Sequence, residues 1–139
     1  MAIQGAIGAT LAFLLGGAVV SPAFGTRRTN WWPAAALDDL PENEPTPITI
    51  RVTREDGYSQ AVDRQVVFLV KSGDDITALS STCTHLGCRV SWNADDQTLK
   101  CPCHGGVFDR TGAVKAGPPP SPLARLPIRR EGEQVLVQL

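Results

Sequence analysis

The 139-residue sequence predicts an all-β head, a small antiparallel sandwich or barrel, preceded by one N-terminal transmembrane helix. Three observations carry that expectation. Residues 2–24 hold no charged side chain. From residue 46 onward, short β-branched runs alternate with turns rich in Gly, Asp and Asn. Nothing in that second part repeats apolar residues at helical spacing.

The apolar segment comes first. Ala2 to Phe24 is rich in Ala, Gly, Leu, Ile and Val. As a helix it would extend about 35 Å, enough to cross a hydrocarbon core of roughly 30 Å. A signal peptide cleaved at Ser21-Pro22-Ala23 is the rival reading; with Met1 retained, residues 1–26 are expected to be a membrane anchor. Gly5 with Ala9 and Ala12 with Gly16 share helical faces, a spacing that lets a neighbouring helix approach. Arg27 and Arg28 follow the segment and no basic residue precedes it, which by the positive-inside rule would leave the head in the cytoplasm.

Residues 27–45 read as a tether. They contain Pro33, Pro41 and Pro45, the run Ala34-Ala35-Ala36, and Asp38, Asp39, Glu42 and Glu44, a composition expected to stay extended and movable. Trp31 and Trp32 are expected at the lipid headgroup level, with packing on the head as the alternative.

Residues 46–139 form the head. Strands are expected at Ile48–Thr53, Gln65–Lys71 and Ile76–Ser80, separated by Glu55-Asp56-Gly57 and Ser72-Gly73-Asp74-Asp75. Arg89–Trp92 and Gln97–Lys100 flank Asn93-Ala94-Asp95-Asp96, a hairpin signal. Gly106–Asp109 and Ala113–Lys115 flank Arg110-Thr111-Gly112, another. Leu126–Arg130 and Gln134–Leu139 close the head around Glu131-Gly132-Glu133. Trp92 is expected in the core, and Asp95, Asp96 and Asp109 in solvated turns. No internal repeat is present.

A net charge of −1 weighs against a nucleic-acid partner. The chemistry is concentrated elsewhere. The chain has four cysteines and two histidines, and all six lie between Cys83 and His104, in the boxes Cys83-Thr84-His85-Leu86-Gly87-Cys88 and Cys101-Pro102-Cys103-His104-Gly105-Gly106. Cys83 with His85, and Cys101 with His104, can each project from a tight loop toward a common point. Cys88 and Cys103 are left over, one per loop; a bond between them would staple the loops and contribute roughly 3 kcal/mol. Structural zinc and a pair of plain disulfides compete with this reading. Zinc leaves two cysteines unexplained, and disulfides leave both histidines unexplained. No nucleophile has a free base beside it, and no phosphate-binding glycine loop occurs.

The boxes C-T-H-L-G-C and C-P-C-H-G, with fifteen residues between His85 and Cys101, resemble those of the Rieske iron–sulfur proteins. The similarity is to the membrane-anchored kind found in cytochrome bc-type quinol-oxidising complexes. It extends over the anchor, the tether, Val90-Ser91-Trp92-Asn93 and the later Gly117-Pro118-Pro119-Pro120, and is nearest to the compact heads of cytochrome b6f and menaquinol complexes. The resemblance implies a 2Fe–2S cluster, one iron held by Cys83 and Cys101 and the other by His85 and His104. It makes Cys88 and Cys103 the family disulfide, which calls for an oxidising compartment. The head is therefore expected on the outer, periplasmic face of a bacterial cytoplasmic membrane, against the basic flank of the anchor. Gly117, Pro118, Pro119 and Pro120 match the family's proline loop.

The resemblance also implies a mechanism. His85 or His104 would hydrogen-bond a quinol and couple proton to electron transfer. Leu86 would pack on a cytochrome b-type subunit, and the head would then carry its electron to a c-type cytochrome. High-potential members have Ser and Tyr where this chain has Gly106 and Phe108. Without those donors to the sulfurs, a potential in the lower half of the Rieske range is expected, suited to menaquinol. The alternative functions are the Rieske small subunit of a molybdenum oxidase of the arsenite-oxidising kind and a zinc interaction module.

Overall fold

The computed structural model describes residues 30–56 and 59–139, so the anchor expected over 1–26 lies outside the described residues. Among the described residues no helix is long and apolar enough to cross a membrane. The elements are β1 (Trp31–Ala36), a 3-10 turn (Leu37–Asp39), β2 (Thr46–Asp56), β3 (Ser59–Ser72), β4 (Asp75–Ser80), β5 (Ser91–Asn93), β6 (Thr98–Cys101), β7 (Gly106–Asp109), β8 (Val114–Ala116), β9 (Arg125–Leu126), β10 (Ile128–Glu131) and β11 (Gln134–Gln138). They pair antiparallel into three sheets, ordered β1-β11-β10, β2-β3-β4-β9 and β5-β6-β7-β8.

The long hairpin explains how three sheets make one head. β3 carries the unbroken apolar run Val66-Val67-Phe68-Leu69-Val70 because both of its faces are covered. Val67 and Leu69 point into one core with Ile50, Val52, Ala78, Val135 and Val137. Phe68 and Val70 point into a second core with Leu79, Val90, Leu99, Phe108 and Leu123. Phe68, Leu69, Leu79, Leu99 and Phe108 are almost completely inaccessible, and burial of side chains of this size stabilises by about 1.5–3 kcal/mol each. The sulfurs of Cys83 and Cys101 belong to the second core, so the site chemistry is built on packed sheet.

Residues 81–124 leave the body after β4 and return as β9, which pairs with β4 itself: Ala78 opposes Leu126 and Leu79 opposes Arg125. The Ser80 amide donates to the Ala124 carbonyl at 2.8 Å, closing the neck of this insert.

The structure corrects the tether. From Trp31 onward, the stretch expected to be movable belongs to the head. β1 pairs with β11 along Trp31–Ala36, with an irregularity between Pro33 and Ala35. Leu37, Leu40 and Pro45 are buried. Proline is tolerated here because β1 is an edge strand and the ladder slips where Pro33 has no N–H to give. Trp32 packs on the first core, and Arg129 stacks over the Trp31 ring at 5.0 Å. The tryptophan pair therefore braces the head, as the alternative had it. Two of the four acids are tied in as well: the Trp92 indole donates to the Glu44 carboxylate at 3.2 Å and packs at the margin of the second core. The Gly73 amide donates to Glu42 at 3.0 Å, which with Lys71 at 3.4 Å holds that carboxyl below its ordinary value despite burial acting the other way. The strand expected over Leu126–Arg130 is two strands. Leu126 pairs with β4, and beyond Pro127, Ile128 pairs with β11, so the chain changes sheet at a proline.

Candidate metal centre

Three loops at one end of the β5-β6-β7-β8 sheet meet at the site. The first, Ser81 to Val90, is pinched by its own backbone. The Val90 amide donates to Ser81 O at 2.7 Å, Cys83 N to Cys88 O at 2.8 Å, and Gly87 N to Cys83 O at 2.9 Å. Gly87 turns the chain at φ +77, a conformation open to glycine. The second loop joins β6 to β7, whose pairing ends at Cys101 opposite Gly106. The third begins at Gly117. A Cβ added there would stand 2.6 Å from the Gly105 carbonyl oxygen, so this backbone lies directly on the second loop. Sequence reasoning did not find the strut between the first and third loops, in which the Thr84 hydroxyl donates to Ser121 O at 2.6 Å. A threonine in a loop gives no such signal.

Cys88 and Cys103 form a disulfide, which joins the first loop to the second. Cys83 and Cys101 are free and buried. The Cys101 sulfur lies within 4.8 Å of both disulfide sulfurs; those two are bonded to each other and have no thiolate to offer a metal, so this sulfur trio is no ligand set. Burial pushes the Cys83 thiol up, the amides of His85 and Leu86 act against that, and the neighbouring Cys101 sulfur adds to the rise. A metal held by this thiol pair would have to displace both protons, its positive charge offsetting the burial that otherwise disfavours the thiolates.

The imidazoles form the outer half. The rings of His85 and His104 meet edge to face with centroids 4.8 Å apart. His104 is exposed and His85 half-buried. Nδ1 of His85 is buried with no hydrogen-bond partner, which is costly for a ring nitrogen unless something else binds it. A sulfur pair inside, a nitrogen pair at the surface and one orphaned buried nitrogen fit a binuclear iron–sulfur group. Leu86 is 68% exposed at the tip of the first loop. Gly106 and Phe108 are buried, and neither side chain can donate a hydrogen bond. A cleft of about 340 Å³ is lined by Arg64, Ser81, Thr82, Gly87 and Arg89 among others, and by none of the four free cysteine and histidine side chains.

Asp109 is corrected from a solvated turn residue to the organiser of the β7–β8 hairpin. One of its oxygens accepts from the Thr111 amide at 2.8 Å, the Thr111 hydroxyl at 2.7 Å and the Ala113 amide at 3.0 Å. Burial pushes its carboxyl up, but these bonds and the Lys115 ammonium outweigh that and hold it below its ordinary value.

Known proteins match this arrangement. The chain is 42% identical over 71 residues to the cytochrome b6-f complex iron-sulfur subunit of Chlorobaculum thiosulfatiphilum, covering 51% of this chain and 39% of that protein. It is 34% identical over 88 residues to the menaquinol:cytochrome c reductase iron-sulfur subunit of Bacillus subtilis (strain 168), covering 61% and 52%. The chain thus spans about half or less of the length of these relatives. Among solved structures, the Sphingomonas yanoikuyae B1 ferredoxin superposes with a TM-score of 0.50 at 21% identity, covering 79% of this chain and 99% of that one; the likeness is one of fold. The description of the Rieske [2Fe-2S] domain matches residues 30–127, so the chain belongs to the Rieske [2Fe-2S] domain family and its cofactor is a 2Fe–2S cluster of that type.

Proposed function

We propose that the chain is the electron-transfer subunit of a membrane quinol:cytochrome c oxidoreductase with menaquinol as its donor. The observation that carries this reading is the division of the site, with thiols buried and imidazoles at the surface beside an exposed Leu86. A donor that must lose a proton with each electron needs a titratable ligand within reach, and only imidazole offers both. Two relatives named as iron–sulfur subunits of a b6-f complex and of a menaquinol:cytochrome c reductase support the class. The Cys88–Cys103 disulfide supports the quinol-oxidising branch.

In this reading Cys83 and Cys101 hold the cluster from the core side, and His85 and His104 hold it from the surface. The cluster supplies one-electron redox chemistry when bound. The ring nitrogens of His85 and His104 that are not spent on iron accept the hydrogen bond of the quinol hydroxyl and then its proton. Leu86 seats the tip on a cytochrome b-type subunit. The backbone pinch and the disulfide keep both imidazoles oriented through the cycle. Gly106 and Phe108 leave the sulfurs without side-chain donors, which disfavours the added electron and matches the potential to menaquinol. Residues 1–26 anchor the chain, with the head on the outer face of a bacterial cytoplasmic membrane, and a c-type cytochrome takes the electron.

The test is a redox titration of the purified complex followed by the low-average-g EPR signal of the reduced cluster, together with identification of its bound quinone and co-subunits. A low midpoint with bound menaquinone and a cytochrome b is expected. A midpoint as high as in Ser- and Tyr-containing members, or a molybdenum co-subunit, would sink the reading.

A further inference from the structure

Gly106 lies where the proline loop meets the second cluster loop, and its lack of a side chain has a steric cause. A Cβ on Gly106 would stand 2.7 Å from Cγ and 3.2 Å from Cδ of Pro119, and 3.4 Å from Cβ of Cys101. Pro119 is buried, and its ring is closed onto its own backbone, so it has no flexible end to swing aside. The backbone beneath is fixed by a second contact. Gly117, at φ +89, would with a Cβ come within 2.9 Å of Gly106 Cα as well as 2.6 Å of Gly105 O. Residues 117–119 therefore press on Gly105-Gly106 at two points, and the ring of Pro119 fills the space that a side chain at 106 would need.

We propose that Pro119 is a positioning residue for the cluster, seated on Gly106 so that a hydrogen-bond donor at position 106 and a proline ring at 119 exclude each other. The ring acts through the loop that carries Cys101 and His104. It closes that loop's flank to water and to any hydroxyl, and both exclusions disfavour the extra negative charge of the reduced site. Adding a serine at 106 is then not a simple gain of a donor, because it also unseats the proline loop. The inference rests on the reading that Cys101 and His104 hold the cluster.

A variant cycle in the full chain tests it, read by thermal unfolding, by the rate of loss of visible absorbance under a chelator, and by the cluster midpoint. Gly106→Ala adds one methyl and no donor. It is expected to speed cluster loss about tenfold, the scale of overpacking a filled site. Pro119→Ala alone is expected to speed cluster loss, and combined with Gly106→Ala it is expected to restore retention to within about twofold of the parent, a non-additive result that marks direct coupling. Gly106→Ser with Pro119→Ala is expected to retain the cluster and shift its midpoint upward relative to Gly106→Ala with Pro119→Ala. Parent-like retention in Gly106→Ala alone would overturn the proposal, as would failure of Pro119→Ala to rescue it. An equal midpoint in the two double variants would overturn the exclusion of the donor. The cycle compares variants of one cluster-bearing chain, so a parent midpoint unsuited to menaquinol would defeat the functional reading and leave this test standing.

Discussion

The imidazoles of His85 and His104 stand perpendicular, 88° between ring planes and 4.8 Å between centroids, on two loops that the chain otherwise joins through Cys88–Cys103. If these rings and the two buried thiols are the ligands, any one of the four is indispensable to the cluster and none is needed for the sheets. Cys83→Ser, Cys101→Ser, His85→Gln and His104→Gln are each expected to abolish the reduced-cluster EPR signal while leaving the far-ultraviolet β signature. Retention of the signal in any one variant would remove that residue from the ligand set.

The disulfide should contribute through the unfolded chain. Its sulfurs are 15 residues apart in sequence, and closing a loop of that length stabilises by about 3 kcal/mol in the chain-entropy account. The pair Cys88→Ser with Cys103→Ser is expected to lower the unfolding free energy measured in denaturant by an amount in that range and to hasten iron loss. Unchanged unfolding would mean that the disulfide adds nothing to what the packing of the loops already provides.

Asp109 gives the stability a component that depends on acid pH. Its folded-state carboxyl titrates below the ordinary value, so its contribution is present above the unfolded carboxylate pKa and is lost as pH falls through the lower, folded one. Asp109→Ala is expected to cost about 1.5–3 kcal/mol near neutral pH, the scale of hydrogen bonds to a charged acceptor. Asp109→Asn should cost less, since one amide oxygen can still close the turn. Urea unfolding at neutral pH and at pH values below the carboxylate range measures both, and the difference between parent and Asp109→Asn should shrink in acid.

Phe108→Tyr isolates the second absent donor. Phe108 is completely buried in the core that contains Cys83 and Cys101, so a hydroxyl at the ring's end must find a partner there. The expected outcome is an upward shift of the midpoint in a redox titration, and a downward shift would contradict the role given to the missing donors.

Leu86 offers a variant that separates docking from redox chemistry. With 68% of its surface exposed, Leu86→Ala should leave the fold and the midpoint unchanged. Steady-state quinol oxidation by the assembled complex should fall, because a docking contact is lost. A rate equal to the parent's would show that the tip does not seat through this side chain.

Much of this was legible from residue type alone. The β-branched run Gln65–Lys71 announces a strand, and the two Cys/His boxes gather every cysteine and histidine of the chain. Where the reading failed, the cause was long-range. Pro33 and the alanine run look like a tether, and only the partner strand β11, almost a hundred residues away, makes them an edge strand. Pro127 looks harmless inside an apolar run, yet it is where the chain passes from one sheet to another. Gly106 was identified by what it lacks, whereas the reason for that lack is a ring thirteen positions on, which no local pattern encodes.

Because β4 and β9 are hydrogen-bonded neighbours, the cluster-bearing insert leaves and rejoins the body at almost one point, in the manner of a cassette. It could be cut away and the ends closed by a tight turn without breaking a single rung of the other two sheets. What the excision would uncover is Phe68, Val70 and Leu79, an oily platform on the middle sheet. A replacement module would have to cover that platform, so the body fixes the footprint of whatever it carries while leaving its chemistry free to change.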